Sequence, residues 1–113
     1  MSKSLKLAAF LLLAATMVFV GCAREEEAIK IGVAGPHSGD LASYGIPTVH
    51  AAELVAQNVN AAGGVLGRQI ELVIEDDQCQ PEVATNTASR LIAEEVVGVI
   101  GHVCSGATRP ALG

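Results

Sequence analysis

Apolar segments of two different periods alternate along most of this chain, and the alternation limits the folds it can adopt. From Ala28 onward, short apolar-rich runs typical of β-strands alternate with longer stretches whose apolar residues recur at helical spacing. The strand candidates are Ala28–Ala34, Ile70–Ile74 and Val96–Ile100. Three strands joined by two helices require two crossover connections, which predicts an α/β fold with a doubly wound parallel sheet.

Both helix candidates carry the residues expected at helix ends. The first runs from about Ile46 to Ala62 and is followed by Gly63-Gly64, which suits a left-handed cap. The second begins at Pro81, with Glu82 beside it in the first turn, and reaches about Glu95. Its predicted apolar stripe comprises Ala84, Ala88, Leu91 and Ile92. The third strand is an almost uninterrupted apolar run, which predicts burial on both faces of the sheet.

Sheets of this kind bind ligands outside the carboxyl ends of their strands, near the point where the strand order reverses. Three loops form this edge: Gly35–Ser43, Asp76–Gln80 and Gly101–Thr108. Cys79 and Cys104 lie in two of them, with 24 residues between. A disulfide there would stabilise the fold by about 3 kcal/mol. Two free buried thiols are the alternative, because spacing alone does not bring two Cα atoms together.

A serine follows the third strand where a further helix should begin. Ser105 could cap that helix, or it could turn its hydroxyl and the following N–H groups towards an anion, since helix starts carry unpaired donors. Gly106 would let a ligand approach the backbone, and Thr108 could add a second hydroxyl. The acidic run Glu75–Asp77 is typical of a solvated loop. We expect the three histidines at the surface or in the core rather than on a ligand: His37, His50 and His102.

The amino-terminal segment differs in composition from the rest. Lys3 and Lys6 precede Leu7–Val20, which is apolar except for Thr16. Fourteen residues span about 21 Å of helix, short of the roughly 30 Å hydrocarbon core of a bilayer. The segment is typical of a secretory signal peptide, with a buried core helix as the alternative.

The residues that end this segment indicate how the signal is removed. Phe19-Val20-Gly21-Cys22 resembles the lipobox of bacterial lipoproteins, which implies a lipidated Cys22 at the new amino terminus. Ordinary cleavage after Ala23 is the alternative. In either case five basic residues remain against twelve acidic ones, so the exported chain has a net charge of -7. That balance disfavours a nucleic-acid partner, which requires a basic face.

Enzyme motifs are matched only in part. Ser38 in Gly35–Gly39 stands one position late for a nucleophile elbow, and Cys104 and Arg109 have one residue too few between them for a phosphatase loop. The chain has no dinucleotide fingerprint, no Gly-Lys-Ser/Thr loop and no cysteine spacing for a metal. We therefore expect no catalysis, cofactor or metal. An exported hydrolase or phosphatase using Cys104 or Ser38 is the alternative of a different class.

Five segments together resemble one known family. They are Ile31–Asp40 (IGVAGPHSGD), Ala42–Gly45 (ASYG), Asn60–Gly67 (NAAGGVLG), Glu75–Cys79 (EDDQC) and Ile100–Thr108 (IGHVCSGAT). In this order they are similar to the start of periplasmic leucine/isoleucine/valine-binding proteins, the substrate-binding subunits of ABC transporters. The resemblance implies a type I periplasmic binding protein fold, in which two α/β lobes close about a hinge over an amino acid and then dock on a membrane permease.

The resemblance also implies roles for individual residues. Cys79 and Cys104 match the first-lobe disulfide of that family, and Ser105 matches the serine that holds the α-carboxylate of the ligand. Tyr44 matches an aromatic residue that lines the side-chain pocket, with packing beneath the first helix as its alternative role. Ser105, Gly106, Thr108 and Tyr44 are therefore the candidate ligand-binding residues.

The predicted organisation has three parts. Residues 1–21 are a signal peptide, 22–27 a lipidated amino terminus and linker, and 28–113 part of the first lobe, with the second lobe missing. We expect such a truncated chain to bind amino acid poorly by itself. The whole protein is expected to be a monomer in the periplasm, attached to the membrane only through lipid. A ligand-sensing extracellular domain of the same fold is the alternative.

Overall fold

The computed structural model describes residues 27–113, which contain three parallel strands and three helices. In chain order the elements are β1 Ile29–Gly35, α1 Ala42–Ala61, β2 Ile70–Asp76, α2 Pro81–Ala93, β3 Val99–Ile100 and α3 Ser105–Ala111. The predicted doubly wound α/β layer is confirmed. Both predicted helices are present, and the further helix expected after the third strand runs from Ser105 to Ala111. The predicted signal peptide and the predicted lipidation of Cys22 lie outside the described residues.

β1 is the central strand of the sheet, whose order is β2-β1-β3. It pairs with β2 along its whole length, from Ile29 opposite Ile70 to Gly35 opposite Asp76. Helices cover both faces of β1. Val33 packs with Val49 and Ala52 of α1, and Leu91 of α2 lies over Gly32 on the other face. Because a parallel strand in this position is covered on both sides, Val33 and Ala34 are fully buried.

α1 begins at Ala42, four residues before the predicted start at Ile46. Because proline is disfavoured in a helix interior, Pro47 led to a predicted start beside it, and the first turn was not predicted. Gly45 allows that turn to form against the preceding loop, because a Cβ at this position would lie 2.0 Å from the carbonyl oxygen of Pro36. The turn is therefore set by tertiary packing rather than by helix propensity.

The end of α1 follows the prediction. Gly63 and Gly64 both have positive φ, 104° and 77°. The Gly64 amide donates to the Val59 carbonyl and the Gly63 amide to the Asn60 carbonyl, the pattern of a Schellman cap. The Asn60 side chain then accepts from the Ile70 amide at 2.7 Å and donates to the Ile70 carbonyl at 2.8 Å. These two bonds fix where β2 begins.

Two predictions about the last strand and helix α2 are wrong. The predicted strand Val96–Ile100 is reduced to Val99–Ile100, and these two residues are 45% and 44% exposed instead of buried. β3, like β2, is an edge strand of the described sheet. It pairs with β1 on one side and has no neighbouring strand within residues 27–113 on the other. In α2, Ile92 was predicted to lie in the buried stripe but is 76% exposed. Thr87 is buried instead, together with Ala84 and Leu91.

Candidate functional site

The strand order reverses between β1 and β3, so the loops after these two strands lie side by side at the carboxyl edge of the sheet. They are in direct contact, since a Cβ on Gly35 would lie 3.0 Å from the Val103 side chain. The loop after β2 joins them through the Asp77 amide, which donates to the Gly35 carbonyl at 3.0 Å. All three loops predicted to form the functional edge therefore meet.

Cys79 and Cys104 face each other across this edge. The structure joins their sulfur atoms, with the two Cα atoms 5.5 Å apart, within the range that a disulfide needs. Gln78 and Cys79 both have positive φ, 50° and 57°. The Asp77 carboxylate accepts the Cys79 amide at 2.7 Å, an Asx turn that holds this left-handed backbone in place. The loop after β2 is thereby shaped to present Cys79 to Cys104.

Asp77 is fully buried, contrary to the prediction of a solvated acidic loop. Its second oxygen lies 2.5 Å from Nδ1 of His102, whose side chain is only 7% exposed. A carboxylate oxygen can only accept, so His102 donates through Nδ1. Asp77 therefore links the loop after β2 to the loop after β3. His102 is in the core, which is one of the two predicted locations.

Asp76 links the loop after β2 to the loop after β1. Its carboxylate accepts the His37 amide at 2.8 Å, the Ser38 hydroxyl and the Gln78 amide at 3.0 Å. Partial burial raises the pKa of Asp76, but the hydrogen bonds from Ser38, His37 and Gln78 outweigh it and leave the pKa below its ordinary value of 3.8. The predicted solvated role is wrong for this residue as well.

The third acid of the run is also paired. Glu75 forms an ion pair with Arg90 of α2 at 2.6 Å, and the Arg90 side chain is half exposed. Exposed pairs of this kind contribute little to stability. The run Glu75–Asp77 thus joins β2 to α2 and to both neighbouring loops, and none of its three carboxylates is a free solvated group.

Ser105 is the first residue of α3, and Cys104 rather than Ser105 occupies the capping position. No cap hydrogen bond from a side chain is formed, so of the two roles open to Ser105 the structure contradicts capping of the helix. Within residues 27–113 the Ser105 hydroxyl and the amides of Ser105 and Gly106 have no hydrogen-bond partner. Both residues are exposed. Three donors are therefore available together where the third strand leads into a helix.

Thr108 stands one turn further along α3, and its hydroxyl faces the loop backbone. The hydroxyl donates to two carbonyl oxygens that share its proton, that of His102 at 3.1 Å and that of Cys104 at 3.0 Å. The hydroxyl proton is therefore used within the loop, and only the oxygen lone pairs are left for another molecule.

Tyr44 lies in the first turn of α1 and is 67% exposed. That exposure contradicts the alternative role of packing beneath the helix. The neighbouring Gly45 is buried against Pro36, so the backbone that carries the tyrosine ring is held on the loop after β1. Tyr44 therefore lies in the helix turn that follows the loop after β1, one of the three loops at the carboxyl edge of the sheet.

The remaining histidines differ from one another. His50 is exposed on α1, as predicted. Both ring nitrogens of His37 are buried, and no residue among 27–113 hydrogen-bonds to them.

The described residues lack the pairings that the alternative enzymes require. The Cys104 sulfur is bonded to Cys79, and a disulfide sulfur is not a thiolate nucleophile. The Ser38 hydroxyl donates to Asp76 and not to a histidine base. In the range 27–113 there is no group of three or more acidic, histidine or cysteine side chains arranged to hold a metal. None of the helices described there is long and apolar enough to span a bilayer.

Asp76, Asp77 and His102 hold the edge together, a role that was not predicted for them from the sequence. One feature of the sequence could have indicated the Asp77–His102 pair. Asp77 precedes Cys79 by two residues, and His102 precedes Cys104 by two residues. Once the cysteines are joined, the positions two residues before them are brought towards each other.

Comparison with known proteins adds three findings. Residues 28–113 match the family model described as periplasmic binding protein. A leucine-, isoleucine-, valine-, threonine- and alanine-binding protein of Pseudomonas aeruginosa is 41% identical over 93 residues, which are 82% of this chain and 25% of that protein. The chain thus spans about a quarter of the length of the curated relatives it matches.

Two solved structures resemble the described fold. The branched-chain amino acid transporter substrate-binding protein of Streptococcus pneumoniae, in complex with isoleucine, is 39% identical with a TM-score of 0.71, covering 74% of this chain and 24% of its own. A solute-binding protein of an ABC transporter from R. palustris, in complex with benzoate, is 34% identical with a TM-score of 0.66, covering 75% of this chain and 23% of its own.

Proposed function

This chain belongs to the periplasmic binding protein family, and on that premise we propose that its carboxyl edge forms one side of a cleft that binds a small carboxylate. The Ser105 hydroxyl and the amides of Ser105 and Gly106 donate to the carboxylate oxygens. The proposal rests on one observation. These three donors have no hydrogen-bond partner within residues 27–113, and they lie where the strand order reverses.

Neutral donors suit this task in an acidic protein. The chain carries twelve acidic residues, and a buried lysine or arginine would have to be desolvated before it met a carboxylate. Backbone amides at the start of a helix are already oriented and carry partial positive charge. Hydrogen bonds from neutral donors to a charged group contribute about 1.5 to 3 kcal/mol each.

We propose leucine, isoleucine, valine or a similar apolar amino acid as the ligand. The exposed ring of Tyr44 lines the pocket for its side chain, and the lone pairs on the Thr108 oxygen accept from the ligand's ammonium group. The solved relatives support the carboxylate assignment, because isoleucine and benzoate share that group and little else.

For the whole protein we propose the substrate-binding subunit of an ABC importer. The edge described above provides the first lobe's contacts, a second lobe provides the rest, and ligand shifts the population towards a closed form that docks on a permease. No bond is made or broken, so the protein is not an enzyme. We propose export as a monomer to the periplasm, with lipid on Cys22 as the only attachment to the membrane. The Cys79–Cys104 disulfide, stable in that oxidising compartment, keeps two of the three loops together.

The carboxylate assignment is tested in a chimera in which residues 28–113 replace the matching segment of the Pseudomonas aeruginosa relative. Ser105→Ala should weaken leucine binding by roughly 10- to 100-fold, because one charge-assisted hydrogen bond is lost. Ser89→Ala is the matched control, since Ser89 is exposed on α2 and donates only to the Thr85 carbonyl. An unchanged dissociation constant in Ser105→Ala would refute the assignment.

The 113-residue chain by itself should bind leucine poorly, because the described edge provides only one side of the proposed cleft. Isothermal titration with leucine measures this directly. Micromolar affinity would contradict the division of contacts between two lobes.

A further inference from the structure

The loops after β2 and β3 are joined twice, once by the disulfide and once by a buried polar pair. The disulfide joins Cys79 to Cys104, and two residues earlier on each loop Asp77 meets His102. Asp77 is fully buried and the His102 side chain is 7% exposed, so water does not compete for the contact. Burial of polar groups is unfavourable unless they are hydrogen-bonded, so a buried pair of this kind indicates a specific structural role.

Both oxygens of Asp77 are occupied. One accepts the Cys79 amide and the other accepts Nδ1 of His102. Asp77 therefore holds the backbone that carries one cysteine and, at the same time, the side chain that stands beside the other. Removal of either partner would leave a buried polar group unsatisfied.

The pair is also connected to the candidate binding residues. The carbonyl of His102 accepts the Thr108 hydroxyl, and the Cys104 carbonyl accepts the amides of Ala107 and Thr108. The first turn of α3, which begins at Ser105, is thus fastened at one point through His102 and at another through Cys104. The contact through His102 does not depend on the disulfide, because it runs from Asp77 to the His102 side chain and from the His102 carbonyl to Thr108.

We propose that Asp77 and His102 are positioning residues, which keep the first turn of α3 and its Ser105 and Gly106 donors in place when the Cys79–Cys104 bond is reduced. The importance of that turn rests on the proposed function. The position of the turn does not, and it can be measured without any ligand.

Hydrogen exchange in the full 113-residue chain, with and without a phosphine reductant, tests the proposal. The reporters are the amides of Ala107 and Thr108, which donate to Cys104 at 3.0 and 2.9 Å. The reference is the Gly32 amide, which donates to Gly98 within the sheet. In the wild-type chain, reduction should accelerate exchange at Ala107 and Thr108 by less than threefold relative to Gly32, whose exchange reports the loss of overall stability when the disulfide is removed.

In His102→Gln and Asp77→Asn, reduction should accelerate exchange at the same two amides more than tenfold relative to Gly32. Asparagine retains one oxygen and replaces the other with an NH2 group, so it cannot accept from the Cys79 amide and from Nδ1 of His102 through separate oxygens as Asp77 does. Asp76→Asn is the matched control, because Asp76 holds the loop after β1, and it should behave as the wild-type chain does.

Four results would overturn the proposal. An equal response of the wild-type chain and the two variants to reduction would show that the pair adds nothing. Acceleration at Gly32 as large as that at Ala107 in the reduced variants would show that the pair supports the whole sheet instead of the turn, and so would a variant that is unfolded when oxidised. Acceleration at Ala107 and Thr108 of more than threefold relative to Gly32 in the reduced wild-type chain would show that the pair does not hold the turn without the disulfide.

Discussion

The carboxyl edge of the sheet and its lateral faces are stabilised in different ways. At the edge, a disulfide and two carboxylates join loops that are far apart in sequence. Beside the sheet lie two apolar grooves of about 290 and 300 Å³, one between α1 and the sheet and one between α2, β3 and α3. None of the candidate ligand-binding residues lines a groove except Thr108. The carboxyl edge is therefore held by polar and covalent contacts, while the body of the lobe depends on apolar burial.

This comparison predicts that adjacent residues of α2 respond very differently to truncation. Leu91 is 1% exposed and packs against Gly32, whereas Ile92 is 76% exposed beside the second groove. Leu91→Ala should lower the free energy of unfolding by about 2 to 5 kcal/mol, because it leaves a cavity in the core. Ile92→Ala should change it by less than about 0.5 kcal/mol. Urea denaturation of the 113-residue chain measures both, and equal losses would remove the distinction between core and groove.

The disulfide should provide the next largest effect. Replacing Cys79 and Cys104 with serine should lower the free energy of unfolding by about 3 kcal/mol under oxidising conditions, since the loop it closes has 24 residues between the cysteines. Under reducing conditions the wild-type chain and the double variant should unfold alike. A difference that persists after reduction would show that the loss comes from packing and not from the covalent link.

The smallest effect concerns pH. The pKa of Asp76 is lower in the folded chain than its ordinary value of 3.8, so the unfolded chain binds more protons in the interval between the two values. The contribution of Asp76 to stability is therefore present above about pH 4 and is lost as the pH falls through the folded pKa. Asp76→Asn should remove this part of the acid sensitivity. If urea midpoints of the variant and the wild-type chain decline in parallel below pH 4, the hydrogen bonds of Asp76 do not stabilise the fold.

The order of the elements could be predicted from sequence because it depends on local patterns. Apolar period, Pro81 at the start of α2 and Gly63-Gly64 after α1 each report on a few neighbouring residues. The start of α1 could not be predicted, because it depends on contact between Gly45 and Pro36. The exposure of β3 and Ile92 depends on which strands and helices surround them, which a local pattern does not contain.

The candidate site could be predicted only in part for the same reason. Its location follows from topology, and Ser105 was placed at the start of a helix. The roles of Asp76 and Asp77 were missed because an acidic run is usually solvated, and their partners lie 38 or 39 and 25 residues away. Long-range pairing of polar groups leaves no local period in the sequence.

The most direct measurement follows the backbone amides in the chimera of residues 28–113 with the Pseudomonas aeruginosa relative while leucine is added. Nuclear magnetic resonance spectra should show the largest amide shifts at Ser105 and Gly106, because a carboxylate that accepts from these groups changes their hydrogen bonding. Saturable leucine binding that leaves both amides unshifted would contradict the account.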